Sequence, residues 1–273
     1  MKIALGEMDI AWKDKDKNKE NCISFLQRSS ELGIDLILFP EMSLTGFSMK
    51  VAEIGEANGE TLSWFKKMAI KYNINIGFGY VEKNAAKGRN VFTILSKDGK
   101  ELSKYVKLHP FSYSGEDKYY DSGHEIILTK LQDFNLSTFI CYDLRFPEPF
   151  QIASKEATLI TVIANWPKSR REHWISLLKA RAIENQCYVA AVNRVGIGGG
   201  NIEYIGDSMI IDPMGRVISK TDEAFKGLSS LDSLIMGEAL AKDVTSLRNS
   251  FRLKDDRREE FYSNYYSKKI SLT

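Results

Sequence analysis

Short apolar runs alternate with longer helix-like segments along most of this chain, and this alternation constrains its fold more than any other feature. The run Asp35–Phe39 is apolar after its first residue, which is typical of a strand buried on both faces. The preceding segment, 18–32, is predicted to be a helix that ends at Gly33, because glycine often caps helix C-termini. The same reasoning predicts strands at 2–8, 75–81, 134–140, 158–164 and 187–193, and helices at 61–72, from about 148, and at 172–185.

Two hairpins and one further helix complete the predicted elements. Strands 90–95 and 101–106 flank a turn that contains Asp98-Gly99, a strong hairpin signal. Strands 204–211 and 216–219 flank a second turn, and residues 233–240 are predicted to be helical. Because crossover helices and hairpins are mixed and no linker divides the chain, we expect one α/β domain over 1–273 with two mixed sheets packed together.

The composition argues against several classes of protein. The formal net charge is +2 and 27% of the residues are charged, so the basic patch expected of a nucleic-acid-binding protein is missing. The apolar start is too short for a signal peptide, and no run reaches the roughly 18 residues of a membrane span. Three cysteines and three histidines show neither disulfide nor metal-ligand spacing. We therefore expect a cytoplasmic protein without a metal, a nucleic-acid partner or a membrane partner.

Cys141 is a candidate nucleophile, because it lies where a buried strand ends and a turn leads to a helix. Backbone N–H groups and a helix N-terminus at such a position would lower the pKa of the thiol and could also receive an oxyanion. The alternative is a packed cysteine, which is how most free cysteines behave. Cys22 and Cys187 are predicted to be packing residues of this kind.

Glu41 and Lys107 are candidate partners for this thiol. Glu41 follows the buried strand 35–39, where desolvation would raise the pKa of its carboxyl and make it a better base. Lys107 follows the strand 101–106 between apolar neighbours, where its ammonium could pair with Glu41 and neutralise an oxyanion. The alternatives are a surface carboxylate that caps a loop and a lysine that extends to water.

These segments together resemble the nitrilase, or carbon–nitrogen hydrolase, superfamily. The resemblance rests on Phe-Pro-Glu at 39–41, Tyr-Val-Lys-Leu-His at 105–109 and Cys-Tyr-Asp-Leu-Arg-Phe-Pro-Glu at 141–148, and it continues at 164–167, 180–185 and 206–208. It covers nearly the whole chain. It implies a four-layer α-β-β-α sandwich that forms a dimer, with the tail from about residue 246 at the interface, and it implies no cofactor.

The resemblance also implies roles for individual residues. Glu41 would be the general base, Cys141 the nucleophile and Lys107 the oxyanion stabiliser, with the backbone N–H of Tyr142 completing the oxyanion hole. Glu116 lies where amidases of the family carry a second glutamate. The alternative interpretation is that Glu116 is an ordinary loop carboxylate.

The segment 165–174 carries most of the information about the substrate. It follows a strand that should end beside Cys141, so we expect Asn165, Trp166 and Arg170 to contact the substrate, with Arg170 binding a carboxylate. Alternatively, Arg170 only begins a solvated helix. Taken with the motifs at 164–167, 180–186 and 193–196, this segment resembles the omega-amidase branch, whose members hydrolyse the terminal amide of 2-oxoglutaramate and similar ω-amido acids.

One departure from the family pattern and several alternatives stay open at this point. Pro110 stands where the family usually has leucine, which puts the shape of the pocket in doubt. An N-carbamoyl amidase or a nitrilase would use the same three catalytic residues. The chain could also be a catalytically silent scaffold of this fold, or Cys141 a redox-active thiol. Asp143, Arg145 and Glu148 are expected to pair with one another as scaffolding around the turn.

Overall fold

Fourteen strands are present in the computed structural model, which describes residues 1–266 and Lys268. They are numbered here in chain order. The strands are β1 (Lys2–Glu7), β2 (Leu36–Leu38), β3 (Asn75–Asn84), β4 (Lys87–Leu95), β5 (Glu101–Val106), β6 (Leu128–Leu131), β7 (Phe134–Ile140), β8 (Leu159–Ala164), β9 (Tyr188–Asn193), β10 (Val195–Ile197), β11 (Glu203–Ile205), β12 (Met209–Ile211), β13 (Lys220–Thr221) and β14 (Ser233–Glu238).

The strands form two mixed sheets and a separate ribbon. The seven-stranded sheet has the order β13-β14-β1-β2-β3-β4-β5, and the five-stranded sheet has the order β12-β9-β8-β7-β6. Each sheet contains three parallel strands, β1, β2 and β3 in one and β7, β8 and β9 in the other. Strands β10 and β11 form a two-stranded ribbon, which is linked to the chain after β1 by a single bridge between Val195 and Asp9. The parallel strands matter for function, because ligand sites in α/β sheets lie at their carboxyl ends.

The helices are α1 (Lys15–Glu31), α2 (Val51–Ile54), α3 (Glu60–Tyr72), α4 (Glu116–Tyr119), α5 (Pro147–Ala153), α6 (Arg171–Asn185), α7 (Ala241–Ser250) and α8 (Glu259–Tyr266). Short 3₁₀ turns precede some of these helices. Two of them, Cys141–Arg145 before α5 and Lys168–Arg170 before α6, carry candidate site residues. Among the described residues, none of the helices combines the length and the apolar character that a membrane crossing would need.

Helices cover the outer faces of both sheets. On the seven-stranded sheet, Phe25 of α1 and Phe65 of α3 pack against Phe39. On the five-stranded sheet, Phe150 of α5 stacks on Phe139 with ring centroids 4.1 Å apart. Residues from the inner faces of both sheets belong to one buried cluster, so the sheets pack face to face. The chain is therefore a four-layer α-β-β-α sandwich, as the sequence predicted.

The helix predicted near residues 233–240 is wrong, because this segment is the strand β14. It pairs antiparallel with β1 along its whole length, from Lys2 with Glu238 to Glu7 with Ser233. Without β14, the buried N–H and C=O groups on that side of β1 would lack partners, which is costly. The pairing partner lies more than 200 positions away, and no local pattern could reveal it.

The strand predicted over 204–211 is interrupted rather than continuous. Gly206 and Asp207 adopt φ angles of 73° and 57°, and the chain leaves the β10–β11 ribbon there to enter the five-stranded sheet as β12. A Cβ atom on Gly206 would lie 2.1 Å from Cδ of Glu7, so only glycine fits this position. The second strand predicted for this hairpin, 216–219, is reduced to a single bridge between Val217 and Ile211.

The C-terminal tail is mostly helical where it is described. From Ser246 it completes α7 and later forms α8. Arg257, which precedes α8, holds this part of the tail to α5, since its Nη2 donates to Oε1 of Gln151 at 2.8 Å. The residues 267 and 269–273 of this tail lie outside the described residues. Its place at a dimer interface stays a prediction.

Glu7, at the end of β1, is a buried carboxyl whose ionisation makes the stability of the fold depend on pH. Its Oε2 accepts a hydrogen bond from the backbone N–H of Ser208 at 2.9 Å. Burial raises the pKa of Glu7 to about 7. Since the folded chain holds this proton more tightly than the unfolded chain, the contribution to stability is present below about pH 4.5 and is lost as the pH rises through 7.

We predict that Glu7→Gln stabilises the protein at pH 8 by about 1–3 kcal/mol and has a much smaller effect at pH 5, because the amide oxygen still accepts from Ser208 but never ionises. Urea unfolding of both proteins at the two pH values measures this difference. The matched control is Glu238→Gln, at the exposed end of β14. Equal effects of Glu7→Gln at both pH values would contradict the prediction.

Candidate active site

The predicted catalytic residues meet at the carboxyl ends of the parallel strands. Glu41 follows β2, Cys141 directly follows β7 and Asn165 directly follows β8, and all three line one pocket with a volume of about 190 Å³. Lys107, directly after β5, lies on the same pocket. The two sheets bring these residues together because their parallel strands end on the same side of the sandwich.

Lys107 is buried between two carboxylates. Its Nζ lies 3.0 Å from Oε1 of Glu41 and 3.1 and 2.9 Å from Oε1 and Oε2 of Glu116. The Lys107 side chain is 1% exposed, and both carboxylate side chains are 0% exposed. The alternatives of a lysine extended to water and of two surface carboxylates are therefore excluded. Glu116 lies in the first turn of α4 and also accepts the backbone N–H of Phe111 at 2.5 Å.

Asn90, in β4, links the two carboxylates and was missed by the sequence analysis. Its Nδ2 donates to Oε1 of Glu41 at 2.7 Å and to Oε1 of Glu116 at 3.2 Å. Asn165 holds the other oxygen of Glu41, since its backbone N–H donates to Oε2 at 3.0 Å. A polar residue directly before the apolar stretch 91–95 of β4 was the one available signal for Asn90.

Electrostatics in this cluster favour a charged lysine. Burial alone would lower the pKa of Lys107, but the carboxylates of Glu116 and Glu41 outweigh it and raise this pKa well above its ordinary value. Burial raises the pKa of Glu116, against the lowering effect of Lys107. The ammonium therefore keeps its proton and remains available to stabilise negative charge. Among the described residues, no group of Cys, His, Asp and Glu side chains is arranged to hold a metal ion.

Cys141 is held in a strained backbone conformation. Its φ angle is 45°, which costs a non-glycine residue about 1–3 kcal/mol and is found mostly at functional sites. Its Sγ lies 3.9 Å from the carbonyl oxygen of Asn165. Sharp strand-to-turn geometry of this kind projects a nucleophile into a pocket.

The thiol pKa is raised rather than lowered, contrary to the sequence-based expectation. Burial raises the pKa of Cys141 well above its ordinary value, and the Glu41 carboxylate adds to the effect, while Lys107 opposes it. Cys141 does not lie at the N-terminus of an α-helix, because it begins a five-residue 3₁₀ turn and α5 begins only at Pro147. The thiol is therefore neutral, and a nucleophilic attack by it would require a base.

The expected pairing of Asp143, Arg145 and Glu148 is also wrong. Asp143 instead accepts hydrogen bonds from Tyr105 and His109. The Arg145 guanidinium lies 4.8 Å over the ring of Trp166, and Glu148 faces Tyr266. Arg145 turns toward the pocket because the aromatic faces there accept a cation.

The outer part of the pocket combines aromatic rings with two guanidinium groups. Cζ of Arg170 lies 5.4 Å from the ring centroid of Phe111 and 5.6 Å from that of Tyr113. Both Arg170 and Arg145 line the pocket, and among the described residues neither forms an ion pair with a carboxylate. Arg171 is different, because it pairs with Asp207 outside the pocket.

The remaining predicted residues are placed as follows. Trp166 lines the pocket, and its backbone N–H donates to Oδ1 of Asn193 at 2.7 Å. Tyr142 also lines the pocket and packs on Phe111 with ring centroids 4.8 Å apart. Ile202 and Tyr204 reach the pocket from the β10–β11 ribbon. No local signal marked these last two residues, because the ribbon is positioned by tertiary contacts.

The chain is similar to known proteins in both sequence and fold. The model of the carbon-nitrogen hydrolase family matches residues 2–237. A 2-oxoglutaramate amidase from Bacillus subtilis (strain 168) is 33% identical over 264 residues, which cover 95% of this chain and 98% of that protein. The omega-amidase YafV from Yersinia enterocolitica is 34% identical over 223 residues, covering 81% of this chain and 85% of that protein. The crystal structure of XC1258 from Xanthomonas campestris, a CN-hydrolase superfamily protein with an arsenic adduct in the active site, has a TM-score of 0.82 at 26% identity and covers 100% of this chain and 99% of its own.

We predict that the rate of Cys141 alkylation by iodoacetamide rises with pH and does not level off below about pH 9. An ordinary thiol has a pKa of about 8.5, whereas the raised pKa of Cys141 keeps this thiol protonated at pH values at which an ordinary thiol is already ionised. Replacing Glu41→Gln removes a negative charge beside the thiol and shifts the curve to lower pH. Peptide mass spectrometry of Cys141 gives the rates.

The matched control for this experiment is Asp117→Asn. Asp117 is exposed and follows Glu116 in the chain, so its removal should leave the curve unchanged. A wild-type curve that levels off at pH 8 or lower would contradict the raised pKa.

Proposed function

The chain belongs to the carbon–nitrogen hydrolase family, and from this membership we propose that it is an amidase that releases ammonia from the terminal amide of a small ω-amido dicarboxylate, of the 2-oxoglutaramate or succinamate type. The observation that carries the proposal is the buried cluster of Glu41, Lys107 and Glu116, because Glu41 and Lys107 of this cluster line the same small pocket as Cys141. The omega-amidase and 2-oxoglutaramate amidase names of the relatives support the substrate class.

In the first half of the proposed reaction, Sγ of Cys141 attacks the amide carbonyl carbon while Glu41 takes the thiol proton. The oxyanion is stabilised by the Lys107 ammonium and by the backbone N–H of Tyr142. The C–N bond then breaks, and the leaving nitrogen takes the proton from Glu41 and departs as ammonia. Acid–base assistance of this kind accelerates reactions by about 10²–10⁴-fold, and one oxyanion donor by about 10²–10³-fold.

In the second half, water hydrolyses the thioester. Glu41 takes a proton from the water as its oxygen attacks the thioester carbon, and Lys107 again faces the oxyanion. The C–S bond breaks, the thiolate of Cys141 regains the proton, and the acid leaves. Glu116 and Asn90 act by holding Lys107 and Glu41 in place, since each contacts the reacting cluster within 3.2 Å.

The far end of the substrate is assigned to the guanidinium groups. A substrate carboxylate placed against Arg170 and Arg145 would find two cations without carboxylate partners among the described residues. Their stacking on Phe111, Tyr113 and Trp166 fixes their planes. Asn165 and Trp166 line the same pocket and would contact the substrate beside Cys141.

Two other enzyme classes would use the same catalytic residues. An N-carbamoyl amidase would release carbon dioxide together with ammonia, and a nitrilase would act on a simple nitrile. We favour the ω-amidase because of the relatives' names and the two cations in the pocket. A catalytically silent scaffold, or a protein in which Cys141 is only a redox-active thiol, would show none of these hydrolytic activities.

We predict that the wild type releases ammonia from 2-oxoglutaramate and succinamate faster than from N-carbamoyl-β-alanine or a simple nitrile, and that Cys141→Ala lowers kcat by about 10⁴-fold or more. The fold should persist, because the change removes only one sulfur atom at the pocket. Cys187→Ala, in the core, is the matched control that retains activity. Undiminished turnover in Cys141→Ala would end this mechanism.

We predict that Arg170→Met raises KM for succinamate by about 10–100-fold, as expected for a charged hydrogen-bonded pair of roughly 1.5–3 kcal/mol. The same change should affect the neutral amide butyramide little, because butyramide has no carboxylate. Arg171→Met, which removes the neighbouring guanidinium outside the pocket, is the control. Equal effects of Arg170→Met on both substrates would refute the carboxylate role.

We also propose that the chain forms a homodimer through its C-terminal region and works in the reducing cytoplasm. The support for the dimer is a group of exposed aromatic side chains on this region, namely Phe251, Phe261, Tyr262, Tyr265 and Tyr266. The support for the compartment is that the mechanism needs Cys141 as a free thiol. Light scattering after gel filtration measures the assembly, and recovery of activity with a reductant tests the thiol requirement.

A further inference from the structure

We propose that Asp143 is a positioning residue. It joins the turn that begins at Cys141 to the residues on both sides of Lys107, and it thereby sets the position of Sγ of Cys141 relative to the Lys107 ammonium. This inference rests on the proposed amidase function, but part of its test is independent of that function. Asp143 touches none of the reacting groups, so its role is exerted through the segments that it joins.

The contacts of Asp143 connect the two catalytic segments directly. Its Oδ2 accepts from the Tyr105 hydroxyl at 2.7 Å and from the backbone N–H of Ile140 at 3.0 Å. Its Oδ1 accepts from the backbone N–H of His109 at 2.9 Å and lies 2.8 Å from Nδ1 of the same residue. Tyr105 and His109 flank Lys107 by two residues on either side, and Ile140 directly precedes Cys141.

The groups that surround Asp143 leave little freedom for this arrangement. The Asp143 side chain is 0% exposed. Burial, and after it the Asp143 carboxylate, raises the pKa of Tyr105 well above its ordinary value, so the phenol keeps its proton and donates. The His109 ring stacks on Phe146 with centroids 3.9 Å apart, which fixes the ring at the other oxygen.

Four donors on two oxygens require a carboxylate rather than an amide. An asparagine at this position accepts on one side only, and its NH₂ group would face two donors on the other side. The Tyr105 hydroxyl and the His109 ring can reorient to accept, but the backbone N–H groups of Ile140 and His109 cannot. One of these N–H groups would lose its partner inside the protein.

The strained backbone of Cys141 makes this loss consequential. A φ angle of 45° persists only where surrounding contacts over-determine it, and the bond from Ile140 N–H to Asp143 closes the turn that holds it. Released from this bond, the Sγ atom would shift relative to Glu41 and Lys107. A displacement of about 1 Å at a reacting atom can cost about 10²-fold in rate.

The experiment compares Asp143→Asn with wild type by kcat and KM for ammonia release, by thermal unfolding, and by the pH dependence of Cys141 alkylation with iodoacetamide. We expect kcat to fall by about 10²-fold per folded molecule while KM stays within about threefold. The alkylation curve should move by about half a unit or more toward that of an ordinary thiol. The matched control is Asp222→Asn, which removes a carboxylate bonded to Arg28 of the outer helix layer. It should change neither kcat nor the alkylation curve.

A folded Asp143→Asn protein with wild-type kcat and an unmoved alkylation curve would overturn the proposal. So would a loss of kcat that only follows the loss of folded protein, because that describes a purely structural residue. If Asp143→Asn does not fold, Tyr105→Phe removes one of the four donors and should lower kcat about fivefold; an unchanged kcat there overturns the proposal as well. If the wild type hydrolyses none of the amides, the proposed function fails, whereas the alkylation curves still decide the role of Asp143.

Discussion

The burial of Lys107 between Glu41 and Glu116 is the interaction on which the rest of the site depends. Taking three charges out of water is costly, and it is offset only when the ions are close together and fully hydrogen-bonded. The three residues come from the ends of β2 and β5 and from α4. Distances near 3 Å between them therefore depend on the positions of β2, β4 and β5 in the seven-stranded sheet and on the loop around Pro110. Loss of Lys107 would leave two buried carboxylates without a counter-ion, whereas loss of either glutamate would leave the ammonium with one carboxylate partner.

The same low-dielectric surroundings have opposite effects on the two reacting groups. They strengthen the attraction between Lys107 and its carboxylates, which keeps the ammonium charged, but they also destabilise a thiolate at Cys141. The thiol is consequently neutral, and a base would have to remove its proton before it could act as a nucleophile. A carboxylate that is already oriented by Asn90 and Asn165 can do this without rearrangement, which is the advantage of a preorganised site.

Charge is distributed unevenly along the pocket. The inner end holds one cation and two carboxylates, whereas the outer end holds the guanidinium groups of Arg145 and Arg170 stacked on aromatic rings. A molecule with an uncharged amide at one end and a carboxylate at the other fits this gradient in one orientation. The turn that carries Cys141 also carries Arg145, so the contacts that place the nucleophile influence the outer wall as well.

The sequence by itself determined the strands that end in reactive side chains, because an apolar run such as 134–140 followed by Cys141 is a local pattern with a local physical cause. It also determined the family and, through it, the four-layer sandwich, and it predicted Glu41, Lys107, Glu116 and Cys141 as catalytic candidates. Only the tertiary structure decided that β14 pairs with β1, that Asn90 joins the two carboxylates and that Arg145 faces the pocket. It alone also determined the direction of the Cys141 pKa shift. These features depend on burial and on contacts between residues that are distant in the chain, and neither is encoded in the spacing of neighbouring residues.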